Sequence, residues 1–175
     1  PKAKSLSDLL GIEGTAASSY WAAWTAIEIK WRKSARYPIQ DDWLRFSSRS
    51  SLFEAHKMAN VRATHPVNAM LNYAYAILLS EARLKAIADG FDPQIGIVHF
   101  RDRGRRGGER PSFALDVMEP SRPVVDRAVL KLIEEETFSG ADFQLQLDGV
   151  CRLNPELARQ VASAALKHVQ LVRKV

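Results

Sequence analysis

The chain has 175 residues, 46% hydrophobic and 26% charged, with a formal net charge of +5. These are the proportions of an ordinary globular protein, long enough to bury about two-thirds of its unfolded surface, and the lone Cys151 excludes an internal disulfide. No apolar run approaches the roughly 18 residues of a membrane span and no signal-peptide pattern opens the chain, so a reducing, cytoplasmic setting with no membrane partner is expected. The basic excess favours nucleic acid as a partner. Because the sequence opens at Pro1 and not at a methionine, residues 1–175 are read as a single domain from a longer protein.

Helical periodicity dominates. From Thr15 to Trp31, the large residues Trp21, Trp24, Ile27 or Glu28, and Trp31 recur at three- and four-residue spacing. Such an aromatic stripe is core packing in preference to a base-stacking platform. Arg36 to Ser51 lacks sustained periodicity and reads as an irregular connection. Its cations, with Arg32 and Lys33 before it, form a solvated basic surface: Arg36, Arg45 and Arg49.

A long helix should begin near Thr64 to Pro66 and run to about Asp89, ahead of Gly90. "GFDPQIG" is turn chemistry, and "IGIVHF" is a short strand or buried loop. A further helix puts Val125, Val129 and Leu132 on one face, and Asn154 followed by Pro155 starts the last one. The fold class is therefore mainly α: a multi-helix domain with at most a short strand or hairpin near residues 95–115.

Three acids and one histidine stand in apolar surroundings. On a helical wheel Glu81 falls within about 40° of Met70, Ala74, Ile77 and Ala88, which sets its carboxylate along the apolar stripe. A buried carboxylate needs a partner: either Lys85 at i+4 pairs with it, or it serves as a metal ligand or general base facing the interior. Asp116 and Glu119 are a helical turn apart, and Pro120 confines that turn to a local one. His99 ends the apolar run seventeen residues before Asp116. Oxygen donors with one imidazole suit Mg²⁺ or Mn²⁺.

Between the histidine and the acids runs "RDRGRRGGER", residues 101–110. Its five arginines, Arg101, Arg103, Arg105, Arg106 and Arg110, less Asp102 and Glu109, give a net +3. Three glycines make it pliable, so it can meet DNA phosphates or remain a solvated loop.

Four stretches occur in order: "LLGIEGTAASSYW", "PVNAMLNYAYAILLSEA", "GFDPQIGIVHF" and "SFALDVMEPSRPVVDRAVL". Together they resemble the helical catalytic C-terminal domain of the CRISPR-associated spacer-acquisition integrases, across about residues 9–165. The resemblance implies a metal-dependent DNA endonuclease/integrase in which a 3′-hydroxyl attacks a phosphodiester to insert new spacer DNA into a CRISPR array. It implies that Glu81, His99 and Glu119 hold a divalent metal, Mn²⁺ or Mg²⁺, with Asp116 in the same catalytic set. The flanking cations, Arg122 included, are then expected to contact DNA.

It further implies a homodimer for the full-length protein, a small ferredoxin-like partner subunit and a prokaryotic cytoplasm. The sequence differs from the family habit at Ser121 and Ala74, and the family's amino-terminal β domain is absent from these residues. The competing readings are a transposon integrase with the same catalytic domain, and a non-catalytic basic helical DNA-binding scaffold whose acids are structural pairs.

Overall fold

The computed structural model describes residues 5–32, 36–49, 63–96, 111–167 and 169. Among the described residues there are five α-helices: α1 (Leu6–Trp24), α2 (Pro66–Ala88), α3 (Ser112–Met118), α4 (Arg122–Glu135) and α5 (Pro155–Leu166). Two three-residue strands, β1 (Phe143–Leu145) and β2 (Cys151–Leu153), pair as a small sheet. The mainly α class is thus borne out. The sheet lies well after the 95–115 stretch, of which 97–110 fall outside the described residues. The chain divides into two compact units, one of Pro1–Ala69 with Glu136–Arg152 and one of Met70–Glu135 with Leu153–Val175.

The first unit is built on aromatic rings. Helix α1 is capped by Ser5, whose hydroxyl accepts from the Asp8 N–H, but it ends at Trp24 and not at Trp31. Beyond it the backbone is extended, with an antiparallel bridge from Glu28 to Arg45 and a parallel one from Trp31 to Phe138. Trp31 therefore leaves the helical stripe and joins Trp43, Phe138 and Phe143 in a cluster with ring centroids 5.7–6.2 Å apart. Trp24 meets Phe46 edge-on. Of the tryptophans, Trp24 and Trp43 are buried in this core, whereas Trp21 and Trp31 pack at its edge and are only half-buried.

Arg49 is not part of a solvated surface. Its guanidinium lies 5.1 Å from the Trp21 ring centroid and donates to Asn68 Oδ1 at 2.9 Å. Asn68, 1% exposed, donates in turn to the Ser48 carbonyl. A buried amide satisfied on both sides ties the irregular segment to the first turn of α2. His65 sits just ahead of that helix, and its Nδ1 accepts from the Val67 N–H at 3.2 Å. Strands β1 and β2 are joined through Asp148-Gly149, where Gly149 takes the left-handed φ of 79° that such a turn requires.

The second unit is a helical core. Met70, Leu71, Ala74, Leu78, Ala82 and Ala86 of α2 are buried, as are Val125, Val129 and Ile133 of α4 and Leu157, Val161 and Ala165 of α5. Ile133, not Leu132, completes the α4 face, because the i, i+4 row carries on past Val129. Helix α4 packs on α5, and Asn154 caps α5 by accepting from the Leu157 N–H. Gly90, at φ 85°, ends α2 where the sequence placed its stop. The following turn docks on α3: the Pro93 carbonyl accepts from the N–H groups of Phe113 and Ala114, satisfying donors that a helix start leaves open. Gly96 is so close to this start that a Cβ there would lie 2.4 Å from the Ser112 carbonyl carbon.

Candidate metal and DNA site

The acid pair sits on a broken helix. Helix α3 stops at Met118, a 3-10 turn covers Glu119–Ser121 with Pro120 inside it, and α4 starts at Arg122. Pro120 enforces the break by removing a backbone donor, which keeps the turn local as the sequence required. Asp116 and Glu119 are both half-buried, with Ala114 and Met118 buried beside them.

Glu119 already holds a cation. Nη1 of Arg122 donates to its two carboxylate oxygens at 2.9 and 3.2 Å. The same guanidinium lies 4.6 Å from the centroid of the Tyr75 ring on α2, and the Tyr75 hydroxyl donates to Oδ1 of Asp126. Asp126 is 5% exposed and stands on α4, one turn after Arg122. Burial works against the charge on Arg122, but Glu119 and Tyr75 outweigh it and hold the guanidinium pKa above its ordinary value. Sequence reasoning picks out Glu119 and Arg122 but misses Tyr75 and Asp126. Arg122 and Asp126 at i, i+4 are visible as a pair; the tyrosine reaches them only through the fold.

Glu81 departs from expectation. Its side chain is exposed, not buried along the apolar stripe. The buried row of α2 runs through Ala74, Leu78, Ala82 and Ala86, and each four-residue step turns it by about 40°. By Ala82 the row has wound about 80° away from Ala74, leaving a residue at nearly the Ala74 angle outside it. The Lys85 ammonium pairs with Asp89 and not with Glu81.

His99 and the arginines Arg101, Arg103, Arg105, Arg106 and Arg110 lie outside the described residues. Among the described residues no three His, Cys, Asp or Glu side chains gather as they would around an ion. Nor is any helix among them long and apolar enough to cross a membrane. Cys151 is buried, and burial pushes its thiol up to about 12, which makes it an inert packing residue.

The family model described as CRISPR associated protein Cas1 matches residues 1–167, and the chain belongs to that family. CRISPR-associated endonuclease Cas1 2 of Rhodospirillum rubrum is 34% identical over 163 residues, covering 93% of this chain and 41% of that protein. CRISPR-associated endonuclease Cas1 of Leptospira interrogans is 28% identical, covering 91% and 54%. Among solved structures, a casposase bound to integration product superposes with a TM-score of 0.68 at 26% identity, covering 95% of this chain and 42% of that one. A Cas1 protein from Thermotoga maritima shares the fold, with a TM-score of 0.64 at 22% identity. The chain thus spans about half the length of these relatives or somewhat less.

Proposed function

We propose that residues 1–175 form the catalytic domain of a metal-dependent DNA integrase and endonuclease that inserts spacer DNA into a CRISPR array. The observation that carries this reading is the likeness, along 95% of the chain, to a casposase bound to integration product. In strand transfer, the 3′-oxygen of one DNA end forms a bond to a target phosphorus while the target's P–O3′ bond breaks. The attacking hydroxyl loses its proton and the departing 3′-oxygen gains one.

Glu81, His99 and Glu119 are assigned to a divalent ion, Mn²⁺ or Mg²⁺, with Asp116 beside them. The donor set suits such an ion: Glu119 is half-exposed and its carboxylate already receives a cation in Arg122, while Glu81 stands open on α2. When bound, the ion supplies activation of the attacking hydroxyl and stabilisation of charge on the phosphoryl centre. Arg101, Arg103, Arg105, Arg106, Arg110 and Arg122 are assigned to DNA phosphates, giving affinity without sequence readout. The family setting adds a homodimer of the full-length protein, a small ferredoxin-like partner subunit and the prokaryotic cytoplasm.

Glu81→Ala or His99→Ala in the full-length protein is expected to abolish strand transfer and leave duplex DNA binding nearly intact. Binding and activity lost in parallel, with the fold preserved, would refute the assignment. The Glu119–Arg122 pair also suits a second reading, a basic DNA-binding scaffold whose acids are structural. That reading expects no Mn²⁺ site dependent on Glu119.

A further inference from the structure

The turn that carries Glu119 also carries its counter-ion. Arg122 closes the 3-10 turn by donating its backbone N–H to the Glu119 carbonyl. Its side chain then returns to the same residue, with Nη1 at 2.9 Å from one carboxylate oxygen and 3.2 Å from the other. A nitrogen nearly equidistant from both oxygens sits in the notch between them, the place that a chelated ion would take. Whatever else the Glu119 carboxylate touches, that notch holds a single group, and Arg122 fills it. The guanidinium is also pinned from behind. Its carbon lies 4.6 Å from the centroid of the Tyr75 ring, and it hydrogen-bonds the Tyr75 hydroxyl. Moving it out of the notch costs a charge-assisted hydrogen bond to Glu119 and disturbs its packing on the ring.

We propose that Arg122 is a specificity-determining residue for the ion: by filling the notch it makes Glu119 a one-oxygen ligand, and so favours Mn²⁺ or Mg²⁺ over Ca²⁺. The inference rests on the assignment of Glu119 as a metal ligand. The two oxygens of one carboxylate are too close together to take neighbouring corners of an octahedron, so a small octahedral ion binds through one of them and loses little when the notch is closed. Ca²⁺ gathers about six to eight oxygens in a flexible shell and gains from a chelating carboxylate. Closing the notch therefore costs Ca²⁺ a ligand. The positive charge of Arg122 opposes all three divalent ions alike, so it is the occupied position, and not the charge, that discriminates among them.

Titration calorimetry of the full-length protein with Mn²⁺ and, separately, with Ca²⁺ tests this, and the deciding quantity is the ratio of the two affinities. Arg122→Met opens the notch and keeps an unbranched side chain beside the Tyr75 ring. Ca²⁺ should gain more than Mn²⁺ from the change, so the preference for Mn²⁺ should fall about tenfold, the lower end of what changes behind a ligand do to metal affinity. Arg122→Lys, which can return a charged nitrogen to the notch, should keep most of the wild-type preference. A variant that is only less well folded would weaken both ions together and leave the ratio where it was.

An unchanged ratio in Arg122→Met, with Glu119→Gln still abolishing Mn²⁺ binding, overturns the proposal and leaves the metal assignment standing. If Mn²⁺ binding survives Glu119→Gln, the metal assignment fails and the proposal falls with it. If Arg122→Met does not fold, the wild type decides. A crystal structure of the full-length protein soaked in Mn²⁺ should show Glu119 holding the ion through one oxygen, with Arg122 still on the carboxylate. An ion across both oxygens, or Arg122 displaced from Glu119, refutes the proposal.

Discussion

His65 gives the protein a built-in sensitivity to mild acid. It is 2% exposed and packs edge-on against Phe46 at the entrance to α2. Burial lowers its pKa from 6.5 to about 4, and the Arg45 backbone and the Asp42 carboxylate oppose that shift too weakly to cancel it. Neither forms a hydrogen bond of normal geometry to Nε2. Nδ1 accepts from the Val67 N–H, so the neutral ring carries its proton on Nε2. Protonating Nδ1 would cost the helix this cap and put a charge in the core.

Above pH 6.5 neither the folded nor the unfolded chain holds the extra proton, and the contribution to stability is complete. Below it the unfolded chain takes up a proton that the folded one refuses, so stability falls with pH until about pH 4. At about 1.4 kcal/mol per pH unit the full loss is about 3 kcal/mol, of which about 2 kcal/mol should appear between pH 7 and 4.5. Urea denaturation across that range, for the wild type and His65→Asn, isolates the effect. Asparagine keeps a capping acceptor for the Val67 N–H and does not titrate. The variant should start less stable, because it loses ring packing on Phe46, and the gap should narrow by about 2 kcal/mol as the pH falls. Parallel pH profiles would refute the reasoning.

Gly96→Ala should lower stability by about 1–3 kcal/mol, because the new methyl would sit 2.4–2.7 Å from the Ser112 and Phe113 backbone; an unchanged thermal melt would mean that this approach is looser than described. Replacing Arg103, Arg105 and Arg106 together by alanine should shift folding stability by no more than about 0.5 kcal/mol. DNA affinity should nonetheless fall, and the slope of log K against log[salt] should become shallower by up to ~0.9 for each phosphate left without its arginine. An unchanged slope would return the arginine run to a solvated loop and leave the acids untouched.

Where the sequence is legible, a local rule is enough. Asn154-Pro155 starts α5, Gly90 stops α2 and Pro120 breaks the helix between Asp116 and Glu119, because caps, left-handed glycines and missing donors act within one turn. The hairpin through Asp148-Gly149 obeys a rule just as local, and it escapes a search for periodicity because each strand has only three residues. Glu81 defeats the sequence for another reason. A fixed wheel averages the angle over six turns, whereas the buried row of α2 winds around its axis, so a residue apolar by average direction is exposed at its own level. The choice of partner by Arg122 lies further from the sequence still. Spacing allows it Glu119 or Asp126; it pairs with Glu119 and packs over Tyr75, whose hydroxyl reaches Asp126, fifty-one residues further along the chain. Neighbours within a turn or two are therefore readable from spacing, while the contacts of Tyr75 with Arg122 and Asp126 emerge only when α2 and α4 are brought together.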